Sequence, residues 1–248
     1  MSLSFIPLGV GDAFSALHYS SCLAVEAEGQ VLLVDCPHPI RKMMREASLS
    51  TGMPLDADRV SAVALTHLHA DHSSGLESLG YFSFFVLKRK LELLAHPSIT
   101  RRLWEGHLAA GMECLIEERG ASPNAKHFED YFSPTPLSVE HAVQHGPFRL
   151  ECRFTYHHVP TTAFRIHAGG RCLGYSADTA FDEGLIQWLA EADLVVHETN
   201  YGVHTPYEKL AALPADLRAR MRLIHYPDTF DLAASNIEPL EQGRRYTV

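Results

Sequence analysis

His67-Leu68-His69-Ala70-Asp71-His72 follows directly on the apolar run Val60–Thr66 and decides the reading of this chain. It sets four metal-competent side chains within six residues at the end of a predicted buried strand. Three imidazoles and a carboxylate held this close repel one another when protonated and lose hydration when buried. A divalent cation removes that conflict, because neutral imidazole and ionised carboxylate are the ligand forms such ions take. A His-rich solvated loop is the plain alternative, and the strand-end placement argues for the metal.

The surrounding composition agrees with metal chemistry. The chain has 248 residues, 46% of them hydrophobic, enough to bury one substantial core, so a single domain spanning 1–248 is expected. Its net charge of −9 argues against nucleic-acid or anionic-membrane partners, which call for a basic surface. Sixteen histidines stand beside only 21 lysines and arginines. No basic stretch followed by an apolar one opens the sequence at Met1-Ser2-Leu3-Ser4-Phe5, and no apolar run approaches a membrane span. Cys22, Cys36, Cys114, Cys152 and Cys172 are odd in number and lack paired spacing. They read as reduced thiols, and a cytoplasmic protein is expected.

Periodicity gives the elements. Leu3–Leu8, Cys22–Ala27 and Val31–Val34 read as strands, the last two a hairpin turning at Glu28-Gly29-Gln30. Ile40–Ala47 has helical spacing, and Val60–Leu65 returns to a buried strand. Beyond the apolar segment Tyr81–Leu87, helices are predicted at Arg89–Ala95 and Thr100–Ala109, and Ala121–Pro136 reads as a loop. Residues 88–136 are therefore expected to form a helical and loop insertion whose function the sequence leaves open. Strands follow at Phe148–Tyr156, Ala163–Ile166, Arg171–Tyr175, Leu194–His197 and Arg222–Ile224, with helices at Glu183–Ala192, Tyr207–Leu213 and Ala215–Met221. Strand runs followed by helices, twice over, suit an α/β architecture of two packed sheets.

With Thr66 before it and Ser73-Ser74-Gly75 after it, the His67–His72 run resembles the signature of the metallo-β-lactamase-fold hydrolases. The resemblance spans nearly the whole chain and implies a four-layer αββα sandwich, two mixed sheets with outer helices. His157-His158-Val159-Pro160, leading to Phe164-Arg165-Ile166, resembles an element of the ribonuclease Z and phosphodiesterase branch, in which the first histidine is the ligand, so His157 is chosen over His158. Ser176-Ala177-Asp178-Thr179 is similar to the family's Ser-Gly-Asp-Thr element, with Ala177 in place of the glycine. Asp178 could also cap a helix, but the helix is expected only after Asp182. His225, in Leu223-Ile224-His225-Tyr226-Pro227, resembles the last ligand.

By that resemblance one metal takes His67, His69 and His157, the other Asp71, His72 and His225, and Asp178 bridges both. Nitrogen and oxygen donors without thiolate suit zinc, while manganese or iron would also be accommodated. Asp35 is either an outer carboxylate that orients a ligand imidazole or a turn residue before Pro37. His197-Glu198-Thr199-Asn200 and His204-Thr205 are similar to elements of ribonuclease Z-like enzymes in which a glutamate orients a histidine that protonates the leaving alkoxide. The spacing here is shorter, and Glu198 and His204 as ordinary strand-end and loop residues remain an equal reading. His18 could face substrate but reads more simply as a turn residue; the remaining histidines match no family element.

The expected catalytic residues are Asp71, Glu198 and His204. The expected reaction is hydrolysis of a small phosphodiester or cyclic nucleotide by a hydroxide shared between two divalent ions. A lactonase or thioesterase on the same ligands is the alternative, and a relative that has lost hydrolysis is a third. A small-molecule substrate is expected, with a homo-oligomer left open.

Overall fold

A computed structural model describes residues 2–248. Seven strands form the first sheet. They are β1 (Ser4–Gly9), β2 (Cys22–Ala27), β3 (Gln30–Val34), β4 (Val60–Ala64), β5 (Leu91–Ala95), β6 (Phe132–Pro136) and, from the C-terminus, Tyr246–Thr247. The order is Tyr246–Thr247, β1, β2, β3, β4, β5, β6, antiparallel through β3 and parallel from β3 to β6.

The second sheet repeats this plan. Its strands are β7 (Val143–His145), β8 (Phe148–Phe154), β9 (Thr162–Ala168), β10 (Arg171–Tyr175), β11 (Leu194–Glu198), β12 (Met221–Ile224) and β13 (Glu238–Pro239), lying side by side in that order. The first half is antiparallel and the half from β10 to β13 is parallel.

Alternation along the strands sets the layers. Phe5, Val25, Leu32, Val34, Ala62 and Ala64 face the second sheet and pack with Phe148, Leu150, Phe164, Ile166, Leu173 and Val196. Their neighbours Ile6, Ala24, Leu33 and Val63 face outward, under Ile40, Met43, Met44 and Ala47 of helix Ile40–Thr51 and Leu76 and Leu79 of helix Leu76–Phe85. Helices Glu183–Leu189, Tyr207–Ala211 and Ala215–Ala219 cover the other side through Leu185, Leu189, Leu210 and Leu217. The result is the expected αββα sandwich. Among the described residues, no helix is long and apolar enough to cross a membrane.

Two expected elements are corrected. Arg89–Ala95, expected as a helix, contains strand β5, because parallel pairing to β4 and β6 on either side outweighs its helical composition. Ala121–Pro136, expected as a loop, holds the helical turn Phe128–Tyr131 and then β6. Pro134 and Pro136 are tolerated in β6 because it is an edge strand, with only one side committed to β5. The apolar segment Tyr81–Leu87 falls largely within helix Leu76–Phe85. The helix expected at Thr100–Ala109 is Pro97–Leu103 continued by a wider π turn, Trp104–Leu108.

Candidate metal centre

Every candidate ligand lies on a segment that begins as a strand ends. His67–His72 follow β4, His157 follows β8, Asp178 follows β10, Glu198 ends β11 and His225 follows β12. Strand termini of the two sheets thus bring distant parts of the chain to one edge of the sandwich. Three non-glycine residues there hold left-handed backbone: Asp35 (φ 64°), Ala177 (φ 51°) and His225 (φ 59°). Such backbone costs an L-residue about 1–2 kcal/mol and is held by its surroundings. His225 is pinned on both sides, its N–H donating to the Val10 carbonyl at 2.8 Å and its carbonyl accepting from Asn200 Nδ2 at 3.1 Å. The φ of Ala177 accounts for the glycine that the resembling element carries at this place.

The side chains converge as two groups with one shared member. His67, His69, His157 and Asp178 form the first, Asp71, His72, Asp178 and His225 the second, with the donor atoms of each group within 4.8 Å of one another. His157 Nε2 stands 3.0 Å from His69 Nδ1, and His67 Nε2 stands 3.2 Å from the same atom. Asp178 Oδ2 faces His157 Nε2 at 3.6 Å and His225 Nε2 at 3.5 Å, while Oδ1 faces His72 Nε2 at 3.4 Å. His158 is exposed and belongs to neither group. Asp178 caps no helix, since Asp182 caps Glu183–Leu189.

The electrostatics describe a site built for cations. Burial pushes His67 well below its ordinary pKa, with His72 adding to the effect, and takes His157 down to about 4. Burial acts the same way on His225, but the Asp178 and Asp71 carboxylates outweigh it and raise this imidazole to about 9. Burial would raise Asp178, yet His225 and His72 hold it well below the carboxylate range. Hydrogen bonds from His225 and His72 likewise outweigh burial at Asp71.

Divalent cations fit these residues. His72 Nε2 is buried without a hydrogen-bond partner, and it points into the second group. Two imidazole nitrogens, His67 Nε2 and His157 Nε2, crowd round His69 Nδ1, and its single lone pair or proton cannot serve both well. The donors are all nitrogen and oxygen, compatible with zinc, manganese or iron.

Asp35 lies fully buried behind the second group. Its Oδ2 accepts from His72 Nδ1 at 2.8 Å, and Oδ1 accepts from the Thr66 N–H at 2.8 Å. This fixes the His72 tautomer with Nε2 facing the centre. Asp35→Asn should therefore weaken metal affinity by about 10–100-fold, read by competition with a chelating indicator.

A third cluster adjoins the first two: Glu198, His204 and His225. Glu198 is buried, and its Oε1 accepts from His204 Nδ1 at 3.0 Å and from the Thr179 N–H at 2.8 Å. Burial opposes charge on His204, but the Glu198 carboxylate raises its pKa. A cavity of about 600 Å³ opens onto all three clusters, lined by His69, Asp71, His157, Asp178, His204 and His225. The cavity of about 620 Å³ beside Arg41, Arg45 and Arg59 shares no residue with it.

Sequence reading missed Asp12, Phe14 and Tyr201 on this cavity and gave Asn200 no role. Only the close-packed Gly9-Val10-Gly11 before Asp12 signalled a constrained loop there; a Cβ on Gly9 would lie 2.1 Å from the Ser20 carbonyl oxygen. His18 does not line the cavity but packs edge-on against Tyr226, with ring centroids 5.8 Å apart.

This sandwich with a His/Asp cluster at its edge has the metallo-β-lactamase fold. Among solved structures, the metallo-β-lactamase fold protein YhfI from Bacillus subtilis superposes with a TM-score of 0.77 at 19% identity, covering 100% of both chains. Yeast PDE1 does so at 0.70 and 12% identity, again over 100% of both. The family model described as Anti-Pycsar protein Apyc1 matches residues 3–245, and the chain belongs to that family. The Anti-Pycsar protein Apyc1 of Bacillus phage 010DV004 is 31% identical over 256 residues, 96% of each protein. A cAMP/cGMP-dependent 3',5'-cAMP/cGMP phosphodiesterase B of Dictyostelium discoideum is 23% identical over 260 residues; the match takes in 97% of this chain but 22% of that protein.

Proposed function

We propose that this protein is a dinuclear metal-dependent phosphodiesterase that opens 3',5'-cyclic nucleotides to nucleoside monophosphates. The observation that carries the reading is the Glu198–His204 pair, joined at 3.0 Å and sharing a cluster with His225. Hydrolysis of an alkyl phosphodiester expels a poor leaving group, and a positioned acid answers that need. The Dictyostelium relative and the solved yeast PDE1 support the same chemistry.

In this reading His67, His69 and His157 would hold one cation and Asp71, His72 and His225 the other, with Asp178 common to both donor groups. When bound, the two cations supply Lewis acidity to the phosphoryl oxygens and acidify solvent into a nucleophile. Asp71 is the ligand-set carboxylate nearer solvent, its side chain 11% exposed against 4% for Asp178, and it orients the attacking water. Water adds to phosphorus as the bond to the 3' oxygen breaks. His204 lines the cavity with Nδ1 committed to Glu198, so Nε2 delivers the proton to the departing oxygen. Glu198 holds that imidazole in the required tautomer and charge.

Protein loaded with Zn²⁺ or Mn²⁺ should hydrolyse bis(p-nitrophenyl) phosphate and 3',5'-cyclic AMP, while acyl-homoserine lactones and acyl thioesters stay intact. Turnover of the carbonyl substrates alone overturns the proposal.

A further inference from the structure

The mouth of the metal-centre cavity carries two aromatic rings that the fold leaves open to solvent. Phe14 is 91% and Tyr201 68% exposed, and both line the cavity that holds His69, Asp71, Asp178 and His204. Apolar residues scattered singly over a surface need no explanation, whereas two rings on the rim of one cavity do.

Both rings are carried on a fixed bracket. Asp12 Oδ1 accepts from the Phe14 N–H at 2.9 Å, and Oδ2 accepts from Asn200 Nδ2 at 2.9 Å. The same Asn200 accepts the Tyr201 N–H on Oδ1 at 2.7 Å and donates to the His225 carbonyl at 3.1 Å. The Tyr201 hydroxyl meets Thr229 Oγ1 at 3.1 Å, which ties the far end of its ring. The Phe14 loop is anchored again by Asp228, which accepts from the Ser15 hydroxyl and from the Ala16 N–H. One asparagine and one aspartate therefore register both rings against His225 of the metal centre.

Both Asp12 oxygens and the Asn200 amide oxygen already accept hydrogen bonds within the protein, and the Phe14 and Tyr201 rings are the apolar surface on this side of the cavity. We infer that Phe14 and Tyr201 are the surface on which the substrate's flat aromatic heterocycle stacks, the nucleobase of the cyclic nucleotide, an inference that rests on the phosphodiesterase reading above. Stacking on aromatic side chains is strong per base and makes use of the π face that every base has. The cavity, at about 600 Å³, lies within the usual range for small-ligand pockets.

The test compares 3',5'-cyclic AMP with an abasic ribose 3',5'-cyclic phosphate on the metal-loaded protein. Phe14→Ala and Tyr201→Ala should each raise KM for cyclic AMP about tenfold with little change in kcat, because one base–aromatic stack is worth about that factor. Neither should change kcat/KM for the abasic compound more than about threefold, which also reports an intact centre. Phe14→Trp and Tyr201→Phe, which keep a ring, should restore KM. With metal-free protein, saturation-transfer NMR should light the adenine H2 and H8 protons in the wild type and not in the alanine variants. Unchanged KM for cyclic AMP, or equal losses on both compounds, overturns the stacking surface while leaving the phosphodiesterase reading standing. A wild type that cleaves neither compound removes that reading itself.

Discussion

Asp178→Ala is expected to abolish phosphodiester hydrolysis, lowering kcat/KM by about 10³-fold or more. The reasoning is electrostatic. Asp178 is the one residue common to both donor groups, and its carboxylate faces imidazoles of both at 3.4–3.7 Å. Lewis-acid stabilisation by a paired centre is worth several kcal/mol, and each 1.36 kcal/mol is a factor of ten in rate. In the proposed two-metal reading, loss of the shared carboxylate should lower metal content from two per chain to one or fewer by elemental analysis. Asp178→Asn keeps the shape and separates loss of charge from loss of packing. Full metal content and near-normal turnover in either variant would show that Asp178 does not join the two groups.

His204→Ala is expected to act on one class of substrate. Cyclic AMP expels an alkoxide that needs a proton, so its turnover should drop about 10²–10⁴-fold, the usual worth of a positioned acid. Bis(p-nitrophenyl) phosphate expels a stable anion and should lose no more than about tenfold. Glu198→Gln should shift the pH profile as well. The Glu198 carboxylate raises the His204 pKa, and in the proposed mechanism the protonated imidazole is the active form. Activity on cyclic AMP should therefore be present below that pKa and be lost as pH rises through it. Taking away the Glu198 charge should move this alkaline limb to lower pH. Equal losses on both substrates, or an unmoved limb, would return Glu198 and His204 to a structural role.

The parts of the sequence that were legible carry their information locally. The β2–β3 hairpin follows from alternating apolar residues broken at Glu28-Gly29, and β4 from an apolar run between parallel neighbours. The parts that misled are those where tertiary pairing competes with composition. Leu91–Ala95 has residues at home in a helix and becomes a strand because β4 and β6 flank it. Phe132–Pro136 carries two prolines and still pairs, because an edge strand needs donors on one side alone. The ambiguity at Asp35 also needed coordinates. As a turn residue before Pro37 it would face water, yet it is buried with His72 and Thr66 as its partners.

By itself the chain's order of residues determined the layered α/β fold and nominated the His and Asp positions, since strand period and a six-residue ligand run are both short-range patterns. It also preferred His157 over His158 through a resemblance, and the structure places His157 Nε2 3.0 Å from His69 Nδ1. Only the tertiary structure decided which side chains meet. His157 reaches His69 across 88 positions of sequence, and Asn200 reaches Asp12 across 188. Those meetings follow from how two twisted sheets pack and where their strands end, so no local pattern in the chain encodes them.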